Sequence, residues 1–263
     1  MKSHAIFLVL FPFSLINAQE LHHPDSTLKD EALPAISAKL KKPLIKVVAS
    51  LAYASLTYHC YKEEDNHFRM EMLEQKTDFN TRINRVISPI GLGETNWMAL
   101  GGTTAFAYLT KDIRLQKAVY IWAGSLAIND MATNQLKLSF QRHRPATGAS
   151  FNTFDWRAGP GIHKSMPSAH TSNAFATATV FATLYKEKRW VAPFAYGMAA
   201  MVGLSRVYDN AHWLSDVMAG AAVGFFSAKA MIAVDNFFSN KGIRIYPQLG
   251  RHTSVTLLYT FEK

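Results

Sequence analysis

Apolar residues along this chain gather in helix-length blocks, with polar clusters falling between them. The blocks run from about 44 to 61, 95 to 110, 115 to 140, 168 to 185, 190 to 206 and 212 to 238. Ala, Leu and Met are abundant in them and the strict alternation of a half-buried strand is scarce, so the pattern predicts helices. A further short helix is expected in the wetter segment 63–86. Turn chemistry marks the connections: SPIGLGETN at 88–96 holds Pro89, Gly91 and Gly93, and 144–161 is a long loop rich in Gly, Pro and aromatics. A loop of that length inside a compact domain points to function more than to idle connection. After Phe238 the pattern changes. Two alternating runs, 243–246 and 254–261, flank Pro247 and Gly250 and predict a β-hairpin. The expected fold class is all-α: a helical bundle of about six core helices with a small C-terminal β-hairpin appendage.

The first residues, MKSHAIFLVLFPFSLINAQE, read as a secretory signal: Lys2 is the basic start, Ile6 to Ile16 the apolar region, and Ala18 the small residue before cleavage. An N-terminal membrane anchor is the blander alternative, but the apolar run is short for one. The expected organisation is a signal peptide at 1–18, a polar segment at 19–43, a helical domain at 44–238 and a hairpin tail at 239–263. Export to the periplasm follows from that reading. A helix needs roughly 20 mostly apolar residues to cross a bilayer. The uncharged runs here are shorter, 15 residues for 47–61 and 16 each for 95–110 and 190–205. Such lengths fit core helices better than spans, with a compact membrane-embedded form as the alternative.

Composition narrows the picture only a little. The 263 residues are 49% hydrophobic and 18% charged, enough for one sizeable core without disorder. A formal charge of +9 favours anionic partners: phosphorylated substrates, a membrane surface or nucleic acid. Cys60 is the one cysteine, so the chain forms no internal disulfide, and in its helix-like run it reads as a packing residue.

Chemistry concentrates in three polar clusters beside apolar helices: KLSFQRHRP (137–145), KSMPSAHTSNAF (164–175) and SRVYDNAHWLSD (205–216). In the second, Ser168 after Pro167 opens a helix as its cap, and a helix N-terminus with unpaired N–H groups suits an anion. His170 in that first turn is a candidate proton donor. In the third, His212 and Asp216 stand four apart and share a helix face. A carboxylate on one imidazole nitrogen fixes the tautomer and frees the other as nucleophile or base. Arg206, six residues earlier, offers a planar fork for phosphate oxygens. The first cluster adds Lys137, Arg142 and Arg144 within eight positions, with His143 between the arginines. Each residue alone has an ordinary structural explanation, as a cap, a local polar pair or a basic helix end. Three such clusters, all suited to anions, are harder to explain that way.

Lys137-x6-Arg144-Pro145, then Pro167-Ser168-Ala169-His170, then Ser205-Arg206-x5-His212-x3-Asp216 resembles the three-part signature of the type 2 phosphatidic acid phosphatase and vanadium haloperoxidase superfamily. The order and all three internal spacings match. One position departs: Ala169 stands where the family has glycine, which costs nothing if the backbone there is helical. The resemblance implies a metal-independent phosphatase. His212 would be the nucleophile, Asp216 its orienting partner and His170 the general acid. Lys137, Arg144, Ser168, Ala169 (through its amide) and Arg206 would hold the phosphate, with no metal ligands. It implies no cofactor, with vanadate as an inhibitor. The expected partner is a phosphorylated lipid or small phosphomonoester, with membrane-surface association and no nucleic acid. Two rivals come from other classes. A vanadium-dependent haloperoxidase would use the same anion site with vanadate as cofactor, and halide oxidation with peroxide decides it. A non-catalytic protein binding anionic lipid would tolerate loss of both histidines.

Overall fold

The computed structural model describes residues 32–157, 163–248 and 254–259. The expected signal peptide lies outside the described residues. Helix α1 spans Ala32–His59 and passes through one π-turn, Cys60–Glu64, into α2 at Asp65–Glu74. Next come α3 (Asp78–Ile87), a short 3-10 turn at Ser88–Gly91, α4 (Gly93–Leu109) and α5 (Ile113–Phe140). After a long loop follow α6 (Ala169–Leu184), α7 (Val191–Tyr208) and α8 (Leu214–Asn240). Each helical block of the sequence thus has its helix. Two differences stand out. The wetter segment forms two helices rather than one, because Thr77 accepts a bond from the Asn80 N–H and opens a second helix after Gln75 ends the first. Helix α1 also begins inside the expected polar segment 19–43, at Ala32.

Helix α6 is the axis of the fold. It is enclosed by α5, α7 and α8, and buries Phe175, Ala176, Ala178, Val180 and Ala182 among them. Small residues set how closely α8 approaches it. A Cβ on Gly220 would come 2.5 Å from the Ser168 carbonyl, and one on Gly224 would overlap the Ser172 carbonyl. Glycine at these two positions lets the α6 and α8 backbones touch, which brings their N-terminal ends together. Cys60 is buried in the same core, as its sequence setting indicated.

The outer surface is unusually apolar. Leu51 is 65% exposed, Met98 77%, Leu109 84% and Phe194 62%, and α8 alone shows Phe226, Val234 and Phe237 to the outside. Helix α8 is long and apolar enough to cross a membrane, with half of its most apolar window buried inside the protein. Single exposed apolar residues need no explanation, but faces of several adjoining helices do.

The expected fold class requires a correction. Among the residues whose side chains are described, 43–157 and 163–242, there is no strand, only an isolated bridge between Arg142 and Phe154. Backbone at Ile243–Gln248 does run antiparallel to Ser254–Tyr259, but the side chains there and the connecting turn lie outside the described residues. The packed fold is therefore all-helical, and a β-hairpin is not one of its constituents. Every buried apolar side chain that is described belongs to a helix or its immediate ends, so helices alone build the described core.

Candidate active site

The three clusters lie at one end of the bundle, and each reaches it by a different local device. Helix α5 stops at Gln141, whose left-handed backbone turns the chain sharply and leaves Lys137 in the last turn. Ser168 has extended backbone and caps α6 by accepting from the Thr171 N–H and hydroxyl. Helix α8 is capped from within: Asp216 reaches back to accept the Trp213 N–H at 3.0 Å. Asp209 and Asn210, just before this helix, bond Arg206 and Arg69 instead. Ala169 is the first residue of α6 and is not among the residues with positive φ. Its backbone is helical, so the methyl group costs nothing there.

Direct bonds interlock the clusters. Lys137 Nζ donates to the Lys164 carbonyl at 2.6 Å, joining the first to the second. The Ser168 N–H donates to the Asp216 carbonyl at 3.0 Å, and Ser165 Oγ donates to Asp216 Oδ2 at 2.6 Å, joining the second to the third. Trp213 Nε1 donates to the His143 carbonyl at 3.0 Å, closing the ring back to the first.

The hub of this ring is Arg142, which is wholly buried. Its guanidinium donates to Asp216 Oδ1 at 2.6 Å, Ser215 Oγ at 2.7 Å and Asp65 Oδ2 at 2.7 Å, and twice to the Phe151 carbonyl. The rings of Tyr61, Phe154 and Trp213 lie around it. Sequence reasoning counted Arg142 as one more positive charge and gave it no role. Asp65 and Ser165 were missed altogether. Asp65 sits in a wet, unremarkable segment, and nothing in its neighbourhood signals that it is 1% exposed. Phe151 and Phe154 pack edge-on against Tyr61 over this hub, whereas Trp156 in the same loop is largely exposed.

On the pocket side stand His212, His170, Lys137, Arg144 and Arg206, close enough for each histidine to feel the surrounding cations. His212 Nδ1 faces Asp216 Oδ2 at 3.7 Å, an ion-pair distance longer than a hydrogen bond. That oxygen already accepts from Ser165 and the Trp213 N–H. Arg206 Nη1 holds Asp209 at 2.7 Å and the Ser88 hydroxyl, while its Nε is buried and unpartnered. Arg144 is exposed. The Ser168 hydroxyl is buried within the first turn of its own helix.

Both histidines lie at the polar end of the bundle, outside the apolar helix bodies. Burial lowers His212 from 6.5 to about 4; Asp216 opposes that fall, and Lys137 and Arg144 deepen it. Burial likewise lowers His170 to about 3, helped by Arg206, His212, Lys137 and Arg144. His212 is thus neutral at ordinary pH, the form that carries a free lone pair. His170 is neutral too while the pocket holds no anion. A phosphate dianion would offset the three neighbouring cations, Lys137, Arg144 and Arg206, and favour the protonated imidazolium a general acid needs.

The family model of the PAP2 superfamily matches residues 118–239, the stretch that contains all three clusters. Over that stretch the chain is similar to this superfamily. Over 234 residues, 85% of this chain, it is 29% identical to a lipid A 1-phosphatase of Porphyromonas gingivalis, covering 48% of that protein. It is 28% identical over 149 residues to a lipid A 1-phosphatase of Rhizobium etli, covering 51% of this chain and 63% of the relative. The chain therefore spans about half the length of the first relative and under two thirds of the second. Two crystal structures share the fold. Aquifex aeolicus LpxE superposes with a TM-score of 0.52 at 20% identity, over 64% of this chain and 94% of that one. A transmembrane PAP2 type phosphatidylglycerolphosphate phosphatase from Bacillus subtilis gives 0.52 at 17% identity, over 73% and 96%.

Proposed function

We propose that this chain is a PAP2-type lipid phosphatase that works without a metal, through a phosphohistidine on His212. The observation that carries the proposal is the ring of direct bonds joining the three clusters around one neutral histidine faced by two cations, Lys137 and Arg144. In the first step the free nitrogen of His212 attacks phosphorus and the bond to the leaving oxygen breaks. His170 gives that oxygen its proton, since an alkoxide leaves badly. Water then attacks the phosphohistidine, His170 takes the water's proton, and the P–N bond breaks to release phosphate. Lys137, Arg144 and Arg206 balance the charge that spreads over the equatorial oxygens, with the amide of Ala169 at the helix end as a further donor. Asp216 keeps His212 oriented and stabilises its positive charge. Ser168 serves this arrangement as a cap.

Three observations favour a lipid as substrate. Relatives of this chain are named lipid A 1-phosphatases. The outer helix faces are apolar, as contact with lipid requires. A cavity of about 510 Å³, lined by Ile90, Ala174, Phe181, Trp190, Phe194 and Met198, starts one helical turn from His170 and runs along α6 and α7. Membrane association follows from these features, and export to the periplasm from the reading of residues 1–18. The related proteins carry phosphatase names, so the haloperoxidase alternative is not favoured.

The test is phosphate release by purified protein from a panel of lipid A, phosphatidic acid, phosphatidylglycerol phosphate and p-nitrophenyl phosphate. Wild type is expected to prefer a lipid, to be inhibited by vanadate, and to lose activity in His212→Ala and His170→Ala with melting unchanged. Full activity in His212→Ala sinks the mechanism, and insensitivity to vanadate counts against this pocket.

A further inference from the structure

The loop between α5 and α6 carries a second cluster of titratable side chains that the phosphatase reading does not use. His143 Nε2 lies 3.3 Å from Asp155 Oδ2, and His163 Nε2 lies 3.8 Å from the same oxygen. The two imidazoles stack with centroids 3.5 Å apart and planes 18° from parallel. One ligand atom from each residue falls within a single 4.8 Å group, and all three side chains are partly buried. A carboxylate oxygen can accept from one imidazole N–H at 3.3 Å, but 3.8 Å is beyond hydrogen-bond distance for the other. A cation among the three would satisfy them together.

We infer that His143, Asp155 and His163 form a binding site for one divalent transition-metal ion, zinc being the best fit. Zinc takes imidazole nitrogen and carboxylate oxygen at about 2.0–2.2 Å in a tetrahedron, which sets neighbouring ligand atoms about 3.3 Å apart. The observed 3.3 and 3.8 Å lie within about half an ångström of that spacing, and binding requires the two stacked imidazoles to turn so that both Nε2 lone pairs meet the ion. Two nitrogens and one oxygen favour zinc and its neighbours over magnesium or calcium, which prefer all-oxygen sites. Backbone bonds hold two of the ligands in place. The His143 N–H donates to the Thr153 carbonyl at 3.1 Å, and the Asp155 N–H to the Gln141 carbonyl at 3.3 Å. The cluster also touches the active-site ring, because Trp213 holds the His143 carbonyl and Arg144 is the next residue. The ion clamps the far part of the loop, at His163, to the segment that delivers Arg144 to the pocket. It takes no part in the chemical step, and the site stands whether or not the substrate is a lipid.

Full-length protein, stripped with chelator and returned to metal-free buffer, is titrated with Co²⁺ and then Zn²⁺. Wild type should bind one Co²⁺ with the visible d–d absorption of a tetrahedral site, bleached by Zn²⁺, and Zn²⁺ should raise its melting temperature. His163→Gln and Asp155→Asn, each at a partly exposed position, should melt like wild type without metal, bind at least about tenfold more weakly and lose the zinc-induced shift. His67→Gln, at an exposed histidine outside the cluster, should behave as wild type. Absence of the tetrahedral cobalt band in wild type overturns the inference, as does binding unchanged in both cluster variants.

Discussion

Arg142 and Arg144 stand two residues apart in the run RHRP, yet they belong to opposite sides of the site. Arg142 is wholly buried, bridges Asp65 and Asp216, and is ringed by Tyr61, Phe154 and Trp213. Arg144 is exposed on the side of the pocket, where its charge reaches His170, His212 and Arg206. The first arginine builds the frame beside His212, and under the proposed mechanism the second meets the substrate. A buried guanidinium with two carboxylates is a poor source of net stability but a strict one, since removing it strands both acids. An exposed guanidinium is cheap to lose for folding and costly to lose for chemistry.

That contrast is open to direct attack. The largest effect should come at its centre: His212→Ala is expected to cut phosphate release at least about a thousandfold with the melting temperature nearly unchanged. Next comes Arg142→Ala, which leaves the buried Asp65 and Asp216 without their shared cation and should cost about 3–5 kcal/mol, read by denaturant unfolding. Arg144→Ala should reverse the pattern, with stability within about 0.5 kcal/mol of wild type and kcat/KM down about a hundredfold. If Arg142→Ala proves as stable as Arg144→Ala, the division between frame and pocket fails.

Acid should loosen the frame before it touches the outer surface. His170 and His212 have folded pKa values of about 3 and about 4, below their ordinary 6.5. Below pH 6.5 the unfolded chain takes up protons that the folded one refuses. Stability present above pH 6.5 should therefore fall as pH drops toward 4 and then 3, by at most about 1.4 kcal/mol per histidine for each pH unit. His212→Gln should flatten that slope in melting curves taken from pH 7 to pH 5. A slope unaffected by the substitution would show that the acid loss arises elsewhere. The smallest effects concern the glycines. Gly224→Ala pushes a methyl into the Ser172 carbonyl and should cost about 1–3 kcal/mol, whereas Gly101→Ala, in a helix face with nothing within 4 Å, should gain about 0.5–1 kcal/mol.

Much of the helical body was legible along the chain because long apolar blocks with punctuated ends allow few other structures. Helices α4 to α8 match their blocks to within a few residues, and Ser168 caps α6 as the Pro-Ser pair indicated. The C-terminal alternation misled the fold class, since a period-2 pattern reports a local preference and not whether the segment joins a core. The pocket-side residues were legible too, from spacing. Their supports were not. Asp65 reaches Ser215 and Arg142 across 150 and 77 positions of sequence, and no local pattern encodes a contact of that range. The four-residue spacing of His212 and Asp216 placed both on one side but did not show that Ser165 and the Trp213 N–H compete for the same carboxylate oxygen.

The sequence by itself determined which residues are candidates for chemistry: two histidines, an aspartate and a set of cations at helix ends, where unpaired backbone groups and dipoles suit an anion. Periodicity and caps depend on neighbours a few positions away, so they can be read in one dimension. Only the tertiary structure decided which arginine frames and which one binds, and that His143, Asp155 and His163 meet. It also decided that Gly220 and Gly224 bring α6 and α8 close enough for Ser168 to bond Asp216. Those outcomes depend on close packing between helices far apart in the chain, where a single methyl group or one buried charge settles what can touch.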